Sequence, residues 1–119
     1  MNEFSLGAAE SRFADIIWKN EPLTSSELSK LSEKEIGWKK TTSFTVLKRL
    51  CDKGLFQNIK GTVSSLISRE DYYSMQSERF VEDNFDGSLP AFIAAFSKNK
   101  TLSPGEIEEL RRLVDKYKE

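Results

Sequence analysis

Leu6, Ala9, Phe13, Ile16 and Ile17 recur at three- and four-residue intervals, which puts them on one face of a helix. Ser5 can cap that helix, the pattern carries it to about Lys19, and Asn20-Glu21-Pro22 stops it. Thr24-Ser25-Ser26-Glu27 then has capping-box spacing, hydroxyl first and Glu three residues on, so Leu28 and Leu31 belong to a short second helix. Glu35-Ile36-Gly37-Trp38 interrupts the pattern. A third helix is predicted over 41–53, presenting Phe44, Leu47, Leu50 and Cys51 with Val46 beside them, and Gly54 closes it as a residue free to take the left-handed cap conformation.

Beyond Gly54 the period changes. Residues 55–60 and 63–68 read as two short strands around a Gly61-Thr62 turn. Ser68-Arg69-Glu70-Asp71 opens a polar helix that carries Tyr72, Met75, Phe80 and Val81 until residues 84–87 break it, and residues 89–96 are apolar enough to be buried. Ser103-Pro104-Gly105-Glu106 combines a capping box with proline at the first helical position, where its missing N–H costs nothing, and leads into Ile107, Leu110, Leu113 and Val114. The order predicts a mainly α fold: a winged helix-turn-helix of three helices and a two-stranded wing over residues 1–68, then a helical dimerisation domain over 69–119.

At 119 residues the chain fits one small folding unit with a short oligomerisation tail, which excludes large multi-domain enzymes. Neither a basic stretch with an apolar run at the N-terminus nor a long apolar segment occurs, so the expectation is a cytoplasmic chain with no membrane partner. With no His and a single Cys there is no ligand set for a structural zinc or copper ion, and no cofactor is expected. The net charge of −1 hides an uneven distribution: between positions 38 and 60, six basic residues (Lys39, Lys40, Lys48, Arg49, Lys53, Lys60) face only Asp52.

That stripe falls where a winged helix-turn-helix would meet nucleic acid. In such a fold a short helix braces a second one that enters the major groove, while the hairpin reaches neighbouring phosphates. On the third helix Thr41, Thr42, Thr45, Lys48 and Arg49 supply hydroxyls and charges able to bond phosphates or base edges, with Lys60 on the hairpin. The competing reading is a polar helix face that is merely solvated; the hairpin that follows at once favours the DNA-binding one.

Leu6-Gly7-Ala8-Ala9-Glu10 leading to Ile16-Ile17-Trp18, the segment from Trp38 through Thr42, Thr45 and Leu47 to Arg49-Leu50-Cys51-Asp52-Lys53-Gly54, and Thr101-Leu102-Ser103 with Glu106-Ile107-Glu108-Glu109-Leu110 and Leu113 resemble the penicillinase-repressor (BlaI/MecI-like) family of winged-helix regulators over nearly the whole chain. The resemblance implies a homodimeric repressor of palindromic operator DNA, with DNA contacts at Thr42 and Thr45 and phosphate contacts at Lys39, Lys40 and Lys48. Phe44 stands where the family often has a polar or basic side chain, and Ser43 where it usually has Val or Ile. The favoured expectation is that Phe44 turns inward to supply the apolar contact that Ser43 cannot. The hairpin lacks the basic and paired aromatic residues common in the family, which implies weaker phosphate anchoring there. Some members are inactivated when a membrane receptor's signal leads to cleavage of an Asn-Phe bond. The resemblance thus names one further partner, a sensor-triggered protease acting near Ala95-Phe96, and Ala in place of Asn argues against it. The cysteine cluster of copper-responsive relatives is absent.

A lone winged domain grips a half-site weakly, so two-fold dimers are the usual solution. Phe80, Phe85, Leu89, Phe92, Ile93, Phe96, Ile107, Leu110 and Leu113 are more large apolar side chains than a three-helix tail can hide, and a partner's helices are expected to cover them; packing back onto the first domain is the alternative. No enzyme is expected, since there is no Gly-rich phosphate loop and no base beside Cys51, which reads as a core residue. Trp18 and Trp38 read as packing anchors between helices. The rival function is a winged-helix protein-interaction module that has lost specific DNA binding, favoured by the acidic pI of 5.6 and the sparse wing.

Overall fold

The computed structural model describes residues 5–119. They form α1 (Ala8–Asn20), β1 (Leu23–Thr24), α2 (Ser25–Ile36), α3 (Lys40–Asp52), β2 (Phe56–Ile59), β3 (Thr62–Ser65), α4 (Arg69–Phe85), α5 (Leu89–Ser97) and α6 (Pro104–Tyr117). The chain divides into two compact units, Met1–Arg79 and Phe80–Glu119, with the division inside α4.

In the first unit α3 lies one residue ahead of the expected 41–53 at each end, and the start of α1 departs from the sequence pattern further. Gly7, not Ser5, is the N-cap of α1: its extended backbone (φ −71°, ψ 172°) lets its carbonyl accept the first helical bond from Ser11, while Glu10 accepts from its N–H at 3.4 Å. The Ser5 carbonyl instead accepts from Lys53 Nζ at 3.4 Å. The expected capping box of α2 is present, with the Glu27 N–H donating to Thr24 Oγ1 at 3.0 Å and the Thr24 N–H donating to Glu27 Oε1 at 3.2 Å. Gly37, left-handed at φ 71°, ends α2 and donates its N–H to the Glu33 carbonyl, turning the chain into α3.

The wing is larger than a two-stranded hairpin. β3 pairs antiparallel with β2 on one side and on the other with β1, where Leu23 lies opposite Val63 and Thr24 opposite Thr62, giving the order β1-β3-β2. A two-residue strand has no period of its own, so β1 exists only because β3 offers it an edge. The hairpin turn is Lys60-Gly61, one residue earlier than the pattern suggested. Both residues take positive φ (51° and 87°) between the paired Ile59 and Thr62, the geometry of the tight primed turns that match strand twist.

Phe13 and Ile17 of α1, Leu28 of α2, Leu50 of α3, Leu55, and Phe56 and Val63 of the sheet form a closed core that Tyr72 at the start of α4 completes. Trp38 packs on Phe13 with ring centroids 5.1 Å apart. Trp18 packs on Phe56 at 5.1 Å and on Tyr72 at 5.6 Å, and donates Nε1–H to the Ile67 carbonyl at 3.0 Å. Both tryptophans are the packing anchors the sequence suggested. Cys51 is only half-buried at the core's margin.

The expectation for Phe44 is overturned. The buried stripe of α3 is Ser43, Val46, Leu47 and Leu50, at positions i, i+3, i+4 and i+7, with Ser43 only 1% exposed; Phe44 lies about 100° further round the helix and is 37% exposed. Helical spacing decides this. A side chain adjacent to Ser43 cannot substitute for it on the same face, however apolar it is. Ser43 Oγ has no hydrogen-bond partner in its buried position, and such a hydroxyl costs about 1 kcal/mol or more. Ser43→Ala is therefore expected to stabilise the protein by about 1 kcal/mol, helped by alanine's better helix propensity. An unchanged or lowered urea midpoint, followed by circular dichroism, would show that the hydroxyl is bonded in solution.

In the second unit Phe80, Phe85 and Phe92 form a mutual ring cluster with centroids 5.6–6.1 Å apart, extended by Phe92 to Phe96 at 6.2 Å. α6 begins with its expected capping box, Glu106 N–H to Ser103 Oγ at 3.1 Å and Ser103 N–H to Glu106 Oε1 at 3.0 Å. The backbone hydrogen bond from Ser103 holds the Glu106 carboxyl below its ordinary pKa. The burial expected of residues 89–96 is not found within the chain: α5 and α6 contain no buried residue, and neither does any other part of 80–119.

Candidate nucleic-acid interface

The sequence makes the N-terminal end of α3 unusual among these helices. α1, α2, α4 and α6 each carry an acidic residue in the first turn, which complements the partial positive charge of a helix N-terminus. α3 and α5 have none; α5 is capped by the Ser88 hydroxyl, which accepts from the Ala91 N–H, whereas the N-cap of α3, Lys39, makes no side-chain capping bond. Lys39 and Lys40 instead add like charge to the free N–H groups of the first turn. That arrangement does nothing for the isolated helix and suits an external anion.

Lys39, Lys40, Thr41, Thr42, Thr45, Lys48 and Arg49 are all exposed. They do not form one face. Thr41, Thr45 and Lys48 lie opposite the buried stripe, with Lys40 and Phe44 on one flank; Thr42 and Arg49, seven residues apart, share the other. Thr45 Oγ1 donates to the Thr41 carbonyl at 2.9 Å, so its hydroxyl proton is used within the helix and it presents outward an acceptor oxygen and a methyl group. Lys48 pairs with Asp52 at 3.2 Å in a solvent-exposed i, i+4 contact, a weak bond that exchanges readily.

Arg49 has a different setting from the other basic residues. Its Nη1 lies 3.2 Å from Glu10 Oε2, on the less exposed first turn of α1, so the guanidinium ties the third helix to the first. No local sequence pattern marks this pair, because its members are 39 positions apart. Lys60 sits at the exposed tip of the hairpin, and Asn58 of β2 closes a groove of 310 Å³ against α3, lined also by Ser25, Phe44, Leu47, Lys48 and Cys51. Burial, and then the Asp52 charge, push the Cys51 thiol above its ordinary pKa, which disfavours the thiolate that nucleophilic chemistry needs.

Three helices backed by a small antiparallel sheet, with a basic, hydroxyl-bearing helix exposed beside the hairpin, define a winged helix-turn-helix protein. The chain belongs to the penicillinase repressor family, whose model it matches over residues 6–116. It is 31% identical over 114 residues to the penicillinase repressor of Bacillus licheniformis, covering 92% of this chain and 89% of the relative. To the methicillin resistance regulatory protein MecI of Staphylococcus aureus it is 26% identical over 117 residues, covering 95% of both chains. The solution structure of the DNA-binding domain of the repressor BlaI superposes on 60% of this chain and 92% of its own length, with a TM-score of 0.54 and 27% identity. The family is one of repressors, not enzymes.

Proposed function

We propose that this protein is a cytoplasmic transcriptional repressor that binds palindromic operator DNA as a homodimer, through helix α3 of each protomer. The observation that carries the reading is the first turn of α3, which has neither an acidic residue nor a side-chain cap, with exposed Lys39, Lys40, Thr41 and Thr45 at the end that would enter the major groove. In this reading Thr42 and Thr45 meet base edges, Lys39, Lys40 and Lys48 meet phosphates, and Lys60 reaches the backbone from the wing. Arg49, paired with Glu10, orients α3 on α1 in addition to any phosphate it reaches. Relatives named penicillinase repressor support the assignment, and among the described residues no helix is long and apolar enough to cross a membrane.

Dimerisation is assigned to residues 80–119. A forty-residue segment with no buried side chain is below the size at which a chain closes a core alone, and Phe80, Leu89, Phe96, Ile107 and Leu113 are exposed around it. Phe85, Phe92, Ile93 and Leu110 are half-buried between them and would complete the covered surface. Control by a protease at Ala95-Phe96 gains no support: the bond lies inside helix α5, whereas nicking concentrates at exposed loop tips.

Selection from duplexes carrying randomised inverted repeats tests the reading. An enriched palindrome is expected. Four lysines on each of two protomers correspond to about eight neutralised phosphates, so the logarithm of the binding constant should fall against that of salt with a slope of about −7. The Thr42→Ala/Thr45→Ala double variant should lose at least about 100-fold in affinity for the palindrome, since base contacts are worth about 1–3 kcal/mol each, while keeping the salt slope. Weak binding that is uniform across sequences, or none, would leave the protein-interaction module in its place.

A further inference from the structure

Phe44 is the one large apolar side chain exposed on α3, on a surface otherwise made of Lys, Thr, Arg49 and Asp52. It stands between Lys40 and Lys48, one turn from each, and the Lys40 ammonium lies 5.5 Å from the ring centroid. A cation that close steadies the ring by its attraction to the π face. Along one edge the ring lines the groove shared with Leu47, Lys48, Cys51 and Asn58.

An exposed aromatic ring in a DNA-facing position has one favourable partner among base edges. The ring offers no donor and no acceptor. Against guanine O6 and N7, or the cytosine amino group, it strips water from polar atoms and returns no hydrogen bond, whereas the thymine C5 methyl is the apolar feature of the major groove. We infer that Phe44 is a specificity-determining residue that reads a thymine methyl in each half-site and rejects G·C at that position. The inference rests on the DNA-binding reading above and deepens it by naming a base.

Replacing thymine by deoxyuridine removes that methyl and nothing else. In the selected palindrome, each thymine is replaced in turn and affinity is measured for the wild type and for Phe44→Ala. One thymine per half-site is expected at which deoxyuridine weakens wild-type binding about fourfold, the worth of one buried methyl-sized group, and about fifteenfold when both half-sites are changed. Phe44→Ala should bind thymine and deoxyuridine equally there, and Phe44→Leu should keep part of the preference. An unchanged thermal midpoint for Phe44→Ala confirms that the fold is intact. Thr45 also carries a methyl, so deoxyuridine sensitivity that persists in Phe44→Ala overturns the assignment to Phe44, as does wild-type indifference at every thymine. Failure to enrich any palindrome overturns the DNA-binding reading together with this inference, and is distinct from both other outcomes.

Discussion

Trp18→Ala should destabilise the winged unit by about 3–5 kcal/mol, the range for removing a large aromatic side chain from a packed site. The indole joins three elements at once: it leaves α1 to pack at a tilt against Phe56 of β2 and Tyr72 and Tyr73 of α4, and its N–H is held by the Ile67 carbonyl. For a unit of roughly eighty residues, each kcal/mol moves the melting temperature by about 4–8 °C, so a fall of more than about 12 °C is expected in the full chain followed by circular dichroism. Trp18→Phe separates the two contributions. It keeps a ring against Phe56 and leaves the Ile67 carbonyl without its donor, and should cost about 1–3 kcal/mol. If the two variants melt together, the hydrogen bond and not the ring contact holds the hairpin to α1.

Leu113→Asp should convert the protein to a monomer at micromolar concentration while leaving the winged unit folded. Leu113 is 50% exposed on α6, at the mouth of an apolar groove of 260 Å³ lined by Phe92, Ile93, Phe96, Leu102 and Leu110. A carboxylate placed in a covered apolar surface would be desolvated without a partner, which costs several kcal/mol. Operator affinity should fall by about 100-fold or more, because two linked half-site contacts gain about 10²–10⁴ over one through effective concentration. Sedimentation gives the mass and the palindrome titration gives the affinity. A variant that still sediments as a dimer would place the interface away from this groove, and one that is monomeric yet binds the palindrome undiminished would sever dimerisation from operator binding.

These two experiments also separate the roles of the two units. The Trp18 variants act on a core that is closed within one chain. Leu113→Asp acts on a surface that the chain leaves open, so its effect on stability should depend on protein concentration whereas that of Trp18→Ala should not.

Much of this architecture is written in short-range patterns. The capping boxes at Thr24 and Ser103, the left-handed glycines after α2 and α3, and the apolar spacing in α1 are decided by residues within one or two turns of each other, and physical rules of that range can be read from sequence. The basic stripe from Lys39 to Lys60 was legible for the same reason. What tertiary structure alone decided involves partners far apart. β1 is a strand because β3, forty residues on, presents an edge to it; Arg49 is turned toward Glu10 because α1 and α3 cross there. Phe44 faces outward because helical phase, and not the hydrophobicity of one side chain, sets which side of α3 is buried. Val46, Leu47 and Leu50 fix which side of α3 is inward, Ser43 falls on that side despite its hydroxyl, and Phe44 is left outside. The sequence by itself determined which segments are helices, their ends to within a residue or two, and which family they form. Only the packed structure determined which side chains remain exposed for recognition, because exposure on a helix depends on which of its faces a distant neighbour covers.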